Sequence, residues 1–233
     1  YEQSEKVLFS ADGFGKFGAL DTDEDWACEA RRYYFNIVGK YGANVQALLK
    51  KAAALDIATI CPLHGPILKE DLGYYIGKYD TWSSYEPEDK GIFIASGSIH
   101  GNTAAAARRL AEILREKGAE KVSVCDLARD DMAEAVEDAF RYDRMVLACA
   151  TYDGGLFPAM ETFLCRLKSK NYQRRTVALV ENGTWAPVAA RVMREKLEAM
   201  KDVRIAEPVV TIRSAMNADT EAKFAELADA LVG

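Results

Sequence analysis

The chain has 233 residues, 49% hydrophobic and 28% charged, which is enough apolar material for one large or two ordinary cores. A formal net charge of −6 speaks against a nucleic-acid partner held by a basic footprint. No apolar run approaches the ~20 residues of a membrane-spanning helix and no secretory leader is recognisable, so a cytoplasmic protein without a membrane partner is expected.

The chain opens on Tyr1 rather than Met, as expected of a piece of something longer. Residues 6–10 read as a short strand, followed by the Gly-rich loop Ala11-Asp12-Gly13-Phe14-Gly15. The acidic stretch 21–25 fits the first turn of a helix, where the dipole favours anions. Trp26, Tyr33, Tyr34, Ile37 and Val38 then recur at helical spacing. Gly39 and Gly42 are expected to interrupt it before a second helix carrying Val45, Leu48, Leu49 and Ala52. Residues 57–61 read as an apolar strand ending at Pro62-Leu63-His64-Gly65-Pro66, residues 69–82 as a helix, and residues 83–89 as a linker. Taken alone, Asp12 is a turn residue and His64 a loop residue, since a lone His is weak support for a metal. The five cysteines are scattered, with no C-x-x-C, and fit buried free thiols in a reducing compartment.

From Lys90 onward the pattern alternates regularly. Strands are expected at 91–96, 121–126, 144–150, 175–181 and 208–212, and helices at 103–117, 131–140, 158–168, 186–200 and 218–231. Such alternation means a parallel sheet with right-handed crossovers, and its length fits a flavodoxin-like doubly wound five-stranded sheet. Ligands of such a sheet lie outside the carboxyl ends of its strands. The first loop there, Ser96-Gly97-Ser98-Ile99-His100-Gly101-Asn102-Thr103, joins a strand to a helix. The first-turn N–H groups of that helix have no internal partner and can hold an anion. The loop contains no Lys, so the nucleoside-triphosphate pattern fails, and an uncharged cradle suits the single terminal phosphate of a mononucleotide such as FMN. A helix capped by Asn or Thr, with no ligand, is the plainer alternative. His100 either contacts the phosphate or flavin edge or faces solvent.

Two further loops lie at the same edge: Thr151-Tyr152-Asp153-Gly154-Gly155-Leu156-Phe157-Pro158 and Glu181-Asn182-Gly183-Thr184-Trp185-Ala186-Pro187. Their glycines and amides offer N–H groups to a carbonyl edge, and Tyr152 and Trp185 are the stacking candidates for a flat ring. Glu181, if buried beside the ring, would disfavour an anionic reduced flavin.

Ser96-x-Ser98-x-x-Gly101-Asn102-Thr103 is similar to the flavodoxin FMN phosphate loop. Phe9-Ser10-Ala11-Asp12-x-Phe14-Gly15 and Cys61-Pro62-x-His64-Gly65 resemble the second half of the metallo-β-lactamase-like αββα domain of flavodiiron proteins. The resemblance covers essentially the whole chain and implies two parts. Residues 1–87 would be the C-terminal portion of the diiron domain, and residues 88–233 the flavodoxin-like FMN-binding domain. In that family a non-haem diiron centre reduces O₂ to water or NO to N₂O. Electrons arrive through FMN from rubredoxin or a similar small donor, in a head-to-tail homodimer. By motif match Asp12 is similar to the bridging carboxylate and His64 to the last histidine ligand. The family's H-x-E-x-D-H segment has no counterpart here, so a diiron centre is implied only if the upstream ligands are supplied. The alternatives are a stand-alone FMN electron carrier and a flavin-dependent NAD(P)H reductase.

Overall fold

The computed structural model describes residues 1–22 and 24–233; Asp23, one of the acids expected to open the first helix, lies outside the described residues. The chain divides into two units, Tyr1–Glu88 and Asp89–Gly233.

In the first unit β1 (Val7–Ala11) pairs in parallel with β2 (Thr59–Pro62), Phe9 standing opposite Cys61. Asp25 caps α1 (Trp26–Tyr33), its carboxylate accepting from the Ala27 N–H at 3.2 Å. Contrary to the expected break, the chain stays helical through a π turn (Tyr34–Val38) and a 3₁₀ turn (Gly39–Tyr41) into α2 (Gly42–Ala52). Gly42 opens α2 for a steric reason. A Cβ there would lie 2.4 Å from the Ser83 carbonyl oxygen and 2.7 Å from the Tyr85 ring. Gly→Ala normally stabilises a helix interior by about 1 kcal/mol. Here Gly42→Ala is expected to destabilise by about 2–3 kcal/mol, read by urea unfolding; an unchanged midpoint would refute the close packing.

The core of this unit is aromatic. Tyr34, Tyr79 and Trp82, the last two from α3 (Leu72–Ser83), are almost fully buried and meet at 5.1–5.6 Å between ring centres. Residues 83–89 do not behave as a loose linker. Glu88 takes 2.7 Å contacts from the Arg31 guanidinium Nε and the Trp82 indole N–H, and 2.6 Å from Lys78. Burial alone would raise its pKa, but the Arg31 hydrogen bond and charge, with Lys78 and Trp82, pull the carboxyl down to about 2. The opposite side is open: Phe9, Leu48 and Ile37 are exposed around an apolar cavity of about 750 Å³ between β1 and α2.

The second unit is a doubly wound sheet. Its parallel strands β3 (Asp89–Gly97), β4 (Val122–Asp126), β5 (Tyr142–Tyr152), β7 (Thr176–Asn182) and β8 (Arg204–Ile212) stand in the order β4-β3-β5-β7-β8. A two-residue strand β6 (Gly155–Leu156) folds back antiparallel on β5. The helices are α4 (Asn102–Glu116), α5 (Met132–Arg141), α6 (Pro158–Ser169), α7 (Ala189–Glu198) and α8 (Ala218–Val232). Ile92, Ile94, Val146 and Val180 are at most 1% exposed, because helices cover both faces. The chain crosses from β4 over β3 to β5, so the switch point lies between the carboxyl ends of β3 and β5.

Several boundaries differ from expectation, α3 starting at Leu72 and β5 running from Tyr142 to Tyr152 among them. β8 starts at Arg204, its register against β7 beginning with Thr176 opposite Arg204. β7 runs on to Asn182, paired with Ala150 and Ile212. α7 starts at Ala189, where its first N–H groups are held by side chains from β5 and β7.

Candidate functional site

At the switch point the carboxyl-end loops enclose a cavity of about 580 Å³, a size that takes a cofactor. Its wall includes Ser98, Ile99, His100, Asn102 and Thr103 from the first expected loop. Thr151, Asp153 and Gly154 come from the second, and Asn182, Gly183, Thr184 and Trp185 from the third. One end is built for an anion. Gly101 takes the N-cap of α4 with φ +94°, a conformation that favours glycine, and its N–H donates to Ser98 Oγ at 3.0 Å. Among the described residues no side chain caps the helix, and the N–H groups of Asn102, Thr103 and Ala104 point out of its first turn without a partner. Ser98 and Thr103, each 2% exposed, set hydroxyls beside them. The wall also offers an apolar face: Trp185 is 91% exposed there. The titratable side chains of the wall are His100 and Asp153.

Several expected residues stand elsewhere. Ser96 is buried in β3 and its hydroxyl donates to the Cys125 carbonyl at 3.1 Å, tying β3 to β4. Glu181 is anchored in β7 and does not line the cavity. One carboxylate oxygen accepts from the Ala190 N–H at 2.9 Å and the other from the Thr211 hydroxyl at 2.8 Å. Its charge stabilises the N-terminus of α7 rather than facing a ring. Thr151 shares that work, its Oγ1 accepting from the Val188 and Ala189 N–H groups. Tyr152 turns away and packs edge-on against Phe157, 6.1 Å between centres. Gly101 and Gly155 support the turns without lining the cavity. Two wall residues, Ala150 and Ser214, lie outside the expected loops, and Ala186 lies within the third of them without having been singled out. Ser214 follows β8 and belongs to a fourth loop at the same edge, a position that the strand order alone would have flagged.

In the first unit the structure brings Asp12 and His64 together, Nε2 to Oδ1 at 3.9 Å, with both side chains more than half exposed. The Tyr33 hydroxyl donates to Asp12 at 3.2 Å, and burial plus this carboxylate pushes Tyr33 up to about 12. Among the described residues no group of three or more His, Cys, Asp or Glu could hold a metal ion. Two donors would leave most of an iron coordination sphere to be filled by other groups. Of the cysteines expected to be buried, Cys125 and Cys149 are, and burial pushes both thiols up to about 12, whereas Cys28 and Cys165 are exposed and Cys61 is half-buried. No helix among the described residues is long and apolar enough to cross a membrane.

Comparison with known proteins agrees with this geometry. The family model described as Flavodoxin domain matches residues 93–210. The nitric oxide reductase of Moorella thermoacetica is 26% identical over 226 residues, 91% of this chain and 55% of that protein. Rubredoxin oxygen:oxidoreductase of Desulfovibrio gigas superposes with a TM-score of 0.88 at 21% identity, covering 97% of this chain and 59% of that one. The flavodiiron protein of Giardia intestinalis gives a TM-score of 0.85 at 21% identity, again over 97% of this chain and 58% of that one. The chain spans about half the length, or less, of the curated relatives it matches.

Proposed function

The chain belongs to the flavodoxin-domain family, and from that membership we propose that it is the FMN-binding, electron-transferring portion of a flavodiiron oxidoreductase. One observation carries the reading: the same cavity wall holds an uncapped helix N-terminus, two buried hydroxyls and a bare indole. When bound, FMN supplies reversible one- and two-electron chemistry, which no side chain of this cavity provides. The chain's own groups bind and orient it. Ser98, Thr103 and the N–H groups of residues 102–104 hold the phosphate as a neutral cradle. The turns at 153–154 and 183–184 close the walls, and Trp185 covers an aromatic face and sheds water.

The first unit is read as part of the metallo-β-lactamase-like domain. Asp12 and His64 would be two of its iron ligands once the remaining donors are supplied, and the open apolar side around Phe9 and Leu48 would be covered by the rest of that domain. The whole protein would reduce O₂ or NO in the cytoplasm, as a head-to-tail homodimer fed by a rubredoxin-like donor. A plain carrier or an NAD(P)H reductase is less favoured, because the similarity runs through the first unit as well as the flavodoxin-like one.

The expected outcome at Trp185 tests the ring end. FMN and riboflavin should both quench its emission, and Trp185→Ala should weaken both about tenfold, the scale of one lost aromatic stack with its buried area. Unchanged affinities in a fluorescence titration would remove Trp185 from the site.

A further inference from the structure

The loops around the cavity are tied together by one side chain. Asn182 is 7% exposed at the end of β7 and pairs with the backbone of Ser214 through both amide atoms. The Ser214 N–H donates to Oδ1 at 3.0 Å, and Nδ2 donates to the Ser214 carbonyl at 2.9 Å. This double pairing fixes the amide's orientation. A flipped amide would set oxygen against the carbonyl and NH₂ against the N–H. The group facing Thr103 is therefore the NH₂, and it donates to Thr103 Oγ1 at 3.3 Å.

The consequence falls on the Thr103 hydroxyl. A hydroxyl has one proton and two lone pairs, and here a lone pair receives the amide donor. Among the described residues no acceptor takes the proton, and Thr103 lines the cavity in the first turn of α4. The same clamp holds Ser214 at φ +69°, a left-handed conformation uncommon for a residue with a side chain. Ser214 Oγ in turn accepts from Asn102 Nδ2 at 3.4 Å, and the Gly183 N–H donates to the Ile212 carbonyl at 3.0 Å. The phosphate loop, the turn after β7 and the loop after β8 thus meet at Asn182.

We infer that Asn182 is a positioning residue: by donating to Thr103 and clamping Ser214, it presents the Thr103 hydroxyl as an oriented donor to a phosphate-monoester dianion and so sets the preference for FMN over riboflavin. The inference rests on the FMN reading above. It assigns the discrimination to a side chain at the last residue of β7, about eighty residues beyond the phosphate loop, and it acts through Thr103.

The test is a set of FMN and riboflavin titrations on the full chain, read by flavin fluorescence. Thr103→Val and Asn182→Ala are each expected to weaken FMN about tenfold, the scale of one charge-assisted hydrogen bond. Riboflavin should move by less than about twofold, and the double variant should be no weaker for FMN than the weaker single one. Thr103→Ser should recover the affinity lost in Thr103→Val. If Asn182→Ala does not fold, the uncharged Asn182→Leu replaces it. Leu keeps the volume and loses the donor to Thr103 without adding a charge, so it should weaken FMN while sparing riboflavin. Equal losses for both flavins, or losses that multiply in the double variant, would overturn the inference and leave the FMN reading standing. A wild-type chain that holds neither flavin would overturn both.

Discussion

Replacing Asn102 by Asp is expected to weaken FMN binding about thirtyfold while the folded chain stays as stable as before. The two effects separate because Asn102 is an exposed residue at the first position of α4. An added carboxylate there suits the helix dipole and so does not harm the fold. The same carboxylate faces the phosphate dianion across a few ångströms of half-open cavity. Screened like-charge repulsion of about 2 kcal/mol corresponds to that thirtyfold change in Kd. Riboflavin, with no phosphate, should bind the variant within about twofold of the parent. Parallel titrations of both flavins, with a thermal melt of each protein, decide the matter. Equal FMN affinity in parent and variant would move the phosphate away from the N-terminus of α4.

The second large effect is expected at Glu88. Arg31 is 2% exposed and Glu88 10% exposed as side chains, so Glu88→Ala removes a carboxylate shared by the buried guanidinium, the Lys78 ammonium and the Trp82 indole N–H. Breaking a buried pair in this way costs about 3–5 kcal/mol. Glu88→Gln, which keeps the shape and an acceptor, should cost less. The pH dependence follows from the lowered pKa of Glu88. The folded protein holds this carboxyl near 2, below its ordinary 4.5. Its stabilisation is therefore fully present above the ordinary value and disappears as pH falls through that window towards 2. Urea unfolding read by tryptophan emission in a Trp185→Phe background reports the first unit, because Trp26 and Trp82 then remain. The parent midpoint should fall on acidification from pH 5 to pH 3 more steeply than that of Glu88→Ala; identical pH profiles would mean the pair contributes nothing.

The pattern of what the sequence disclosed is itself physical. The alternation after Lys90 was legible because β3, β5 and β7 are covered on both faces and read as unbroken apolar runs. The phosphate loop was legible because its donors are consecutive, from Ser98 to Thr103. What escaped depends on partners far along the chain. Glu88 reads as part of a polar, Pro-containing linker until Arg31, 57 residues earlier, is set beside it. Gly42 reads as a helix breaker until Tyr85 fills the space its side chain would need. Glu181 reads as a loop acid near a ring, but β7 extends past it and α7 brings the Ala190 N–H to its carboxylate. Tyr152 carried the right chemistry for stacking, yet the β5–β6 hairpin turned it onto Phe157. Ser214 carries no motif; strand order alone brings its loop to the cavity.

The central claim is that the Asp89–Gly233 unit holds FMN by its phosphate in the switch-point cavity. The most direct measurement is a visible absorption spectrum of the chain after incubation with FMN and removal of excess by gel filtration, beside an identical sample incubated with riboflavin. The account predicts flavin bands near ~450 nm, with FMN retained in proportion to protein and riboflavin largely washed away. A colourless protein peak after FMN incubation, or equal retention of the two flavins, would contradict it.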